Sequence, residues 1–172
     1  MRRVALLRGV NVGGAGKLPM VGFRDLLVRM GFHRVETLIQ SGNAVFDAAG
    51  EDAALETAIR DAVDRQHGFA PEVFLRSASE MAEAVRDHPF AGADGSRVHV
   101  FFLRAASVLD EDRLASLVAP GDAWAVAPRR VTLFLPGGIG RSKLAERLMR
   151  QLPVHTARNL NTVTKLAEMA AR

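Results

Sequence analysis

The chain has 172 residues, 48% of them hydrophobic and 24% charged, with no cysteine and a net charge of +4. A chain of this length builds a core without staples, and the missing cysteines exclude a disulfide framework, a thiol nucleophile, a Cys-type zinc site and an iron–sulfur cluster. The same absence fits a reducing, cytoplasmic compartment.

Val4 to Leu7 reads as a buried strand, too short for the apolar core of a signal peptide. No apolar run reaches the ~18 residues that a membrane span needs, so no membrane association is expected. Gly9 to Lys17 is a loop, because its four glycines offer unusual backbone angles. Pro19 suits the first turn of a helix. Phe23, Leu26, Leu27 and Met30 carry that helix to Gly31. Val35 to Gln40 is a strand, Ser41-Gly42-Asn43 a tight turn, and Ala44 to Phe46 the returning strand. A helix from about Asp52 sets Leu55, Ile59, Ala62 and Val63 on one face and stops at Gly68. Pro71 to Leu75 is the next strand, giving β-α-β-β-α-β, the ferredoxin-like order.

Ser77-Ala78-Ser79-Glu80 is a capping box that opens a linker helix. Arg97 to Leu103 reads as a central strand, and Leu114, Leu117 and Val118 mark a helix. Ala123–Val126 and Val131–Leu135 flank Pro128-Arg129-Arg130 as a hairpin. A helix spans Lys143 to Gln151, and a last one carries Val163, Leu166 and Met169. The second half thus reads β-α-β-β-α plus an extra helix. The expected fold is α+β, two ferredoxin-like (α-β plait) halves packed together: 1–77, a linker helix and loop at 78–96, and 97–172.

Charge is uneven along this order. From residue 128 onward nine Lys/Arg face two Glu, a net +7, leaving the remainder at −3. Such a basic end attracts phosphates, nucleic acid or acidic partners, or forms a solvated face. Only three of the 23 basic residues are lysine (17, 143 and 165), and all three fall in polar segments.

Pro136-Gly137-Gly138-Ile139-Gly140-Arg141-Ser142-Lys143 follows a strand and opens a helix. Glycines let backbone N–H groups turn toward a ligand, and a helix start leaves donors unpaired and partly positive, which attracts phosphate or carboxylate. Arg141 and Lys143 add charge. Ser142 either caps the helix or donates to the ligand. The Arg8–Lys17 loop is similar in kind, yet a P-loop ending at Gly16-Lys17 needs glycine at 11 and Ser/Thr at 18, where this chain has Asn11 and Leu18. Arg8 and Asn11 stand where a ligand could be reached from a strand end; the loop is otherwise a flexible connector. Gln40-Ser41-Gly42-Asn43 is good hairpin chemistry in itself. Thr156 to Lys165 is rich in donors. Capping by Asn159, Asn161 or Thr162 accounts for part of it, but not for Arg158 and Lys165.

The five histidines show no metal-ligand spacing. His99 reads as packed, and His155 as a surface residue or, alone among the five, an acid–base candidate. Val98 to Leu103 lacks the RNA-recognition strand pattern, so nucleic acid would be held through phosphates alone.

Four segments carry a resemblance: Ala5-Leu6-Leu7-Arg8-Gly9-Val10-Asn11-Val12-Gly13-Gly14, Ile39-Gln40-Ser41-Gly42-Asn43-Ala44-Val45-Phe46, Pro136 to Leu144, and Ala157-Arg158-Asn159-Leu160-Asn161-Thr162-Val163-Thr164-Lys165-Leu166. Together they resemble the domain of unknown function 1697 family of bacterial proteins. Leu160 stands where that family commonly has Trp. The resemblance implies a fold of two α-β plait subdomains and carries over no activity, cofactor or catalytic residue.

These readings point to a site for a small phosphorylated or nucleotide-like anion, formed by Gly137, Gly138, Gly140, Arg141, Ser142 and Lys143 and completed by Arg8, Asn11, Lys17, Arg158, Asn159 and Lys165. The alternatives are a nucleic-acid-binding module using the basic C-terminal face and a protein-interaction domain without a ligand.

Overall fold

The computed structural model describes residues 1–172. The chain divides into two compact units, Met1–Met81 with Leu166–Arg172, and Ala82–Lys165.

The first unit runs β1 (Arg2–Arg8), α1 (Met20–Arg29), β2 (His33–Leu38), β3 (Asn43–Asp47), α2 (Asp52–His67) and β4 (Glu72–Ser77). Its antiparallel sheet has the order β2-β3-β1-β4. β1 is central because it is apolar on both faces: Val4, Ala5, Leu6 and Leu7 are at most 1% exposed. Ala5 and Leu7 meet Phe23, Leu27, Ile59 and Val63 from the two helices in one core. Burying each such large side chain contributes about 1.5–3 kcal/mol. α1 starts after Pro19 with no side-chain cap and stops at Met30, where Gly31 takes φ +86°. Phe32 then stacks on Phe46 at 4.7 Å between ring centres. α2 ends on Gly68 in the left-handed conformation. Arg3, 5% exposed, locks the start of α2, donating to Asp52 (2.6 Å) and to the carbonyls of Ala48 and Gly50.

The capping box is realised at α3 (Ala78–Arg86). Ser77 Oγ accepts from Glu80 N at 3.2 Å, and Glu80 Oε2 accepts from Ser77 N at 2.8 Å.

The second unit runs β5 (Val98–Leu103), α4 (Glu111–Ala115), β6 (Ala123–Ala127), β7 (Arg130–Phe134), α5 (Lys143–Gln151) and β8 (His155–Asn159); α6 (Leu160–Ala170) follows. The sheet order is β6-β7-β5-β8. Strand for strand this repeats the first unit, so both sheets have the ferredoxin-like βαββαβ arrangement. Phe101 and Leu103 on one face of β5 pack with Val131, Leu133, Leu144 and Leu148.

Two features depart from the sequence reading. β8 was expected as a polar tail preceding a helix; it is a strand, paired with β5 from Leu103↔His155 to His99↔Asn159. Tertiary pairing, not the propensity of His-Thr-Ala-Arg-Asn, makes it one. His155 is therefore not a surface residue. It is 8% exposed, with its ring 5.7 Å from Phe101 and Nδ1 within 2.9 Å of the Pro153 carbonyl.

Candidate functional site

In the first unit the Gly9–Lys17 loop folds back on itself. Val12 and Ala15 bridge, and Asn11 N donates to Gly16 O at 2.9 Å. Asn11 takes φ +55°, which its short side chain tolerates better than most. Its amide Nδ2 donates to the carbonyls of Leu18 (2.8 Å) and Gln40 (2.7 Å), and Oδ1 accepts from Leu18 N at 2.8 Å. Both ends of this amide are thus spent within the unit, joining the first glycine loop to the Gln40–Asn43 turn. Gly16 has to be glycine, since a Cβ there would stand 2.3 Å from the Gly9 carbonyl oxygen. Asn43 is fully buried and donates to Leu38 O and Ser41 Oγ. Arg8, the last residue of β1, and Lys17, at the end of the loop, are exposed.

In the second unit, Pro136–Ser142 connects β7 to α5. Ser142 Oγ accepts from Ala145 N at 3.0 Å, so this side chain serves as the helix cap. Gly138 N and Ser142 N donate to Leu135 O and Ile139 O, whereas the N–H groups of Ile139, Gly140, Arg141 and Lys143 have no backbone partner. Gly138 takes φ +86°, and a Cβ there would lie 2.7 Å from Arg97 Nη1. The Arg97 guanidinium, which has no salt-bridge partner, therefore sits against the loop. The sequence reading missed Arg97: it is a lone arginine before a strand, and only the antiparallel partnership of β5 and β7 puts it beside the loop.

The turn before β5 also touches the tail. Gly95 O accepts from Leu160 N at 3.1 Å, and a Cβ at Gly95 would stand 2.1 Å from Asn161 Oδ1. Residues 94–97 thus hold the second glycine loop on one side and the start of α6 on the other. Asp94 Oδ1 accepts from Ser96 N and Oγ at 2.9 and 2.8 Å; these bonds, with Arg97 nearby, hold its carboxyl below the usual range.

The tail residues separate by role. Asn159 Oδ1 accepts from Thr162 N at 2.9 Å, capping α6. Arg158 is half-buried in β8 and donates to Thr156 Oγ1 (2.9 Å) and Ala157 O (2.8 Å); burial pulls its pKa down to about 10, so it stays charged at neutral pH. Lys143 and Arg141 are exposed at the helix start, and Lys165 is exposed on α6. His99 shares its sheet face with Phe101 and lies opposite Leu133 and Asn159. Its buried Nε2 has no hydrogen-bond partner, and desolvation, aided by Arg97, pushes its pKa down, favouring the neutral ring.

Fold and loops together define a class: a tandem α-β plait protein in which each unit ties a glycine-rich loop to a second polar segment. The chain belongs to the family described as protein of unknown function DUF1697, whose model matches residues 1–131. The two later motifs lie beyond the matched residues. Among solved structures, a conserved bacterial protein of Streptococcus pneumoniae, SP0830, is similar, with a TM-score of 0.72 at 24% identity over 98% of each chain. No curated protein matches. No group of His, Asp and Glu side chains is placed to hold a metal ion, and no helix is long and apolar enough to cross a membrane.

Proposed function

We propose that the chain binds a small phosphorylated or nucleotide-like anion at the Gly137–Lys143 loop of its second unit. The observation that carries this reading is the coincidence of a guanidinium that makes no salt bridge, Arg97, with a positive-φ glycine at 138. The loop containing that glycine has N–H groups at Ile139, Gly140, Arg141 and Lys143 with no backbone partner. Unpaired amides at a helix start favour an anion by about 0.3–1 kcal/mol. A charge-assisted contact from a guanidinium adds about 1.5–3 kcal/mol and suits the oxygens of a phosphate. Lys143 and Arg141 supply further charge at the rim. The roles found for Ser142, as cap of α5, and Asn159, as cap of α6, make them positioning residues in this scheme.

Thermal melting with inorganic phosphate, pyrophosphate, nucleoside phosphates and sugar phosphates tests the proposal. A ligand at about 100 times its dissociation constant stabilises the fold by about 2.7 kcal/mol, a readily measured shift. The shift is expected to shrink in Arg97→Ala and Lys143→Ala, with affinity falling about tenfold or more. No shift with any of these anions, and no anion carried through mild purification in native mass spectrometry, would remove the reading.

A further inference from the structure

A second basic surface runs along α5, starting at Lys143, where the glycine loop ends, and continuing away from that loop. Lys143, Arg147 and Arg150 stand at i, i+4 and i+7, one stripe along the helix. Across from them α4 offers Arg113. Two adjoining shallow grooves, of about 380 and 170 Å³, share Arg147 and Arg150 in their walls; Arg113 lines the larger and Lys143 the smaller. Of these four cations only Arg150 has an ion-pair partner, Glu146 at 2.5 Å, and that pair is well exposed. The other carboxylate in the grooves, Asp110, makes no salt bridge: its Oδ1 caps α4 at Arg113 N (3.0 Å), and its backbone N–H donates to Gln151 Oε1 (2.8 Å). Arg113, Arg147 and Lys143 form no salt bridge, and the four cations outnumber the two carboxylates of the grooves.

We infer that this α4–α5 groove is a site for a linear polyanion, the phosphate backbone of a nucleic-acid strand. Its cations repeat about once per helical turn, about 5.4 Å, along roughly 10 Å of α5. A chain of phosphates follows such a row, whereas a single phosphate fills only one step of it. Three of the four cations are arginines, whose planar forks match phosphate oxygens. The walls contain no aromatic ring on which a base could stack, only Val108 and Leu117 as apolar residues. Binding therefore depends on salt and is indifferent to base sequence. An inorganic polyphosphate chain offers the same chemistry.

The test uses the full chain and a fluorescein-labelled oligonucleotide of about 15 nucleotides, with anisotropy read over a series of salt concentrations. Wild type is expected to bind with a steep salt dependence. The triple variant Arg113→Ala, Arg147→Ala, Arg150→Ala is expected to lose at least about tenfold in affinity. It should also flatten the plot of log K against log salt by about 2, the share of three phosphate contacts on a single strand. Arg24→Ala with Arg60→Ala, exposed arginines of the first unit, should leave binding unchanged. Melting curves check that each variant is folded, and the triple arginine-to-lysine variant, which keeps the charge but not the planar forks, should bind between wild type and the triple alanine variant. Displacement by polyphosphate as strong as by unlabelled oligonucleotide would identify the phosphate chain as the recognised element; resistance to polyphosphate would identify the nucleic acid. Absence of binding by wild type at low salt, equal binding by the triple alanine variant, or equal displacement by poly-glutamate would overturn the inference.

Discussion

Asn11 is the side chain on which the first glycine loop depends. It is not a glycine yet takes φ +55°, and its side chain makes three hydrogen bonds: two with the Leu18 backbone, which close the loop, and one to the Gln40 carbonyl, which links the loop to the turn. Asn11→Ala removes all three and is expected to cost about 2–3 kcal/mol, seen as a lower urea midpoint at unchanged slope. Asn11→Gly relieves the backbone but not the lost bonds, so its midpoint should fall between the two. A pH effect belongs to His99. Its folded-state pKa is depressed, chiefly by desolvation, so the unfolded chain takes up the proton first as pH falls. The stabilisation from a neutral His99 is present above the unfolded pKa of about 6.5 and is lost as pH drops below it. Between about pH 7.5 and 5, wild type should therefore lose more of its urea midpoint than His99→Gln; parallel losses would contradict this assignment.

Among the elements, α5 couples packing to the proposed site. Leu144, Ala145 and Leu148 face the core of the second unit, while Lys143, Arg147 and Arg150 line the grooves. Its first turn depends on Ser142, so Ser142→Ala is expected to lower stability by about 1 kcal/mol while leaving anion affinity within about twofold, because the hydroxyl is committed to Ala145 N. A large loss of affinity at unchanged stability would instead make Ser142 a ligand residue. Most elements were legible in the sequence because apolar spacing and glycine stops agree, as in α1 and α2. β8 was not. Its five residues carry two charged or ring-bearing side chains and two hydroxyl or amide groups, and only pairing with β5 makes them a strand. β2 starts at His33, earlier than expected, where the register against β3 shifts and Arg34 takes φ +47°. Such irregularity is set by the partner strand and leaves no periodic trace.

Taken as a whole, the molecule repeats one topology twice and ties its four polar motifs together in pairs. The glycine loop at 9–17 meets the 40–43 turn through Asn11, and the loop at 136–143 shares the 94–97 turn with the 157–166 segment. The motifs themselves stood out in sequence as clusters of glycine, asparagine and basic residues. Asn11, which joins the first pair, stood out with them; Gly95 and Arg97, which join the second, did not, since they acquire their roles only from antiparallel register. The same holds for Arg113, which faces α5 only after the chain has turned. The most direct test of the central claim is a titration of the isotope-labelled protein with pyrophosphate, following backbone amide resonances. Saturable shifts at Ile139, Gly140, Arg141 and Lys143, lost in Arg97→Ala, are the predicted result; saturable binding that leaves these four amides unmoved, or no binding at all, would contradict it.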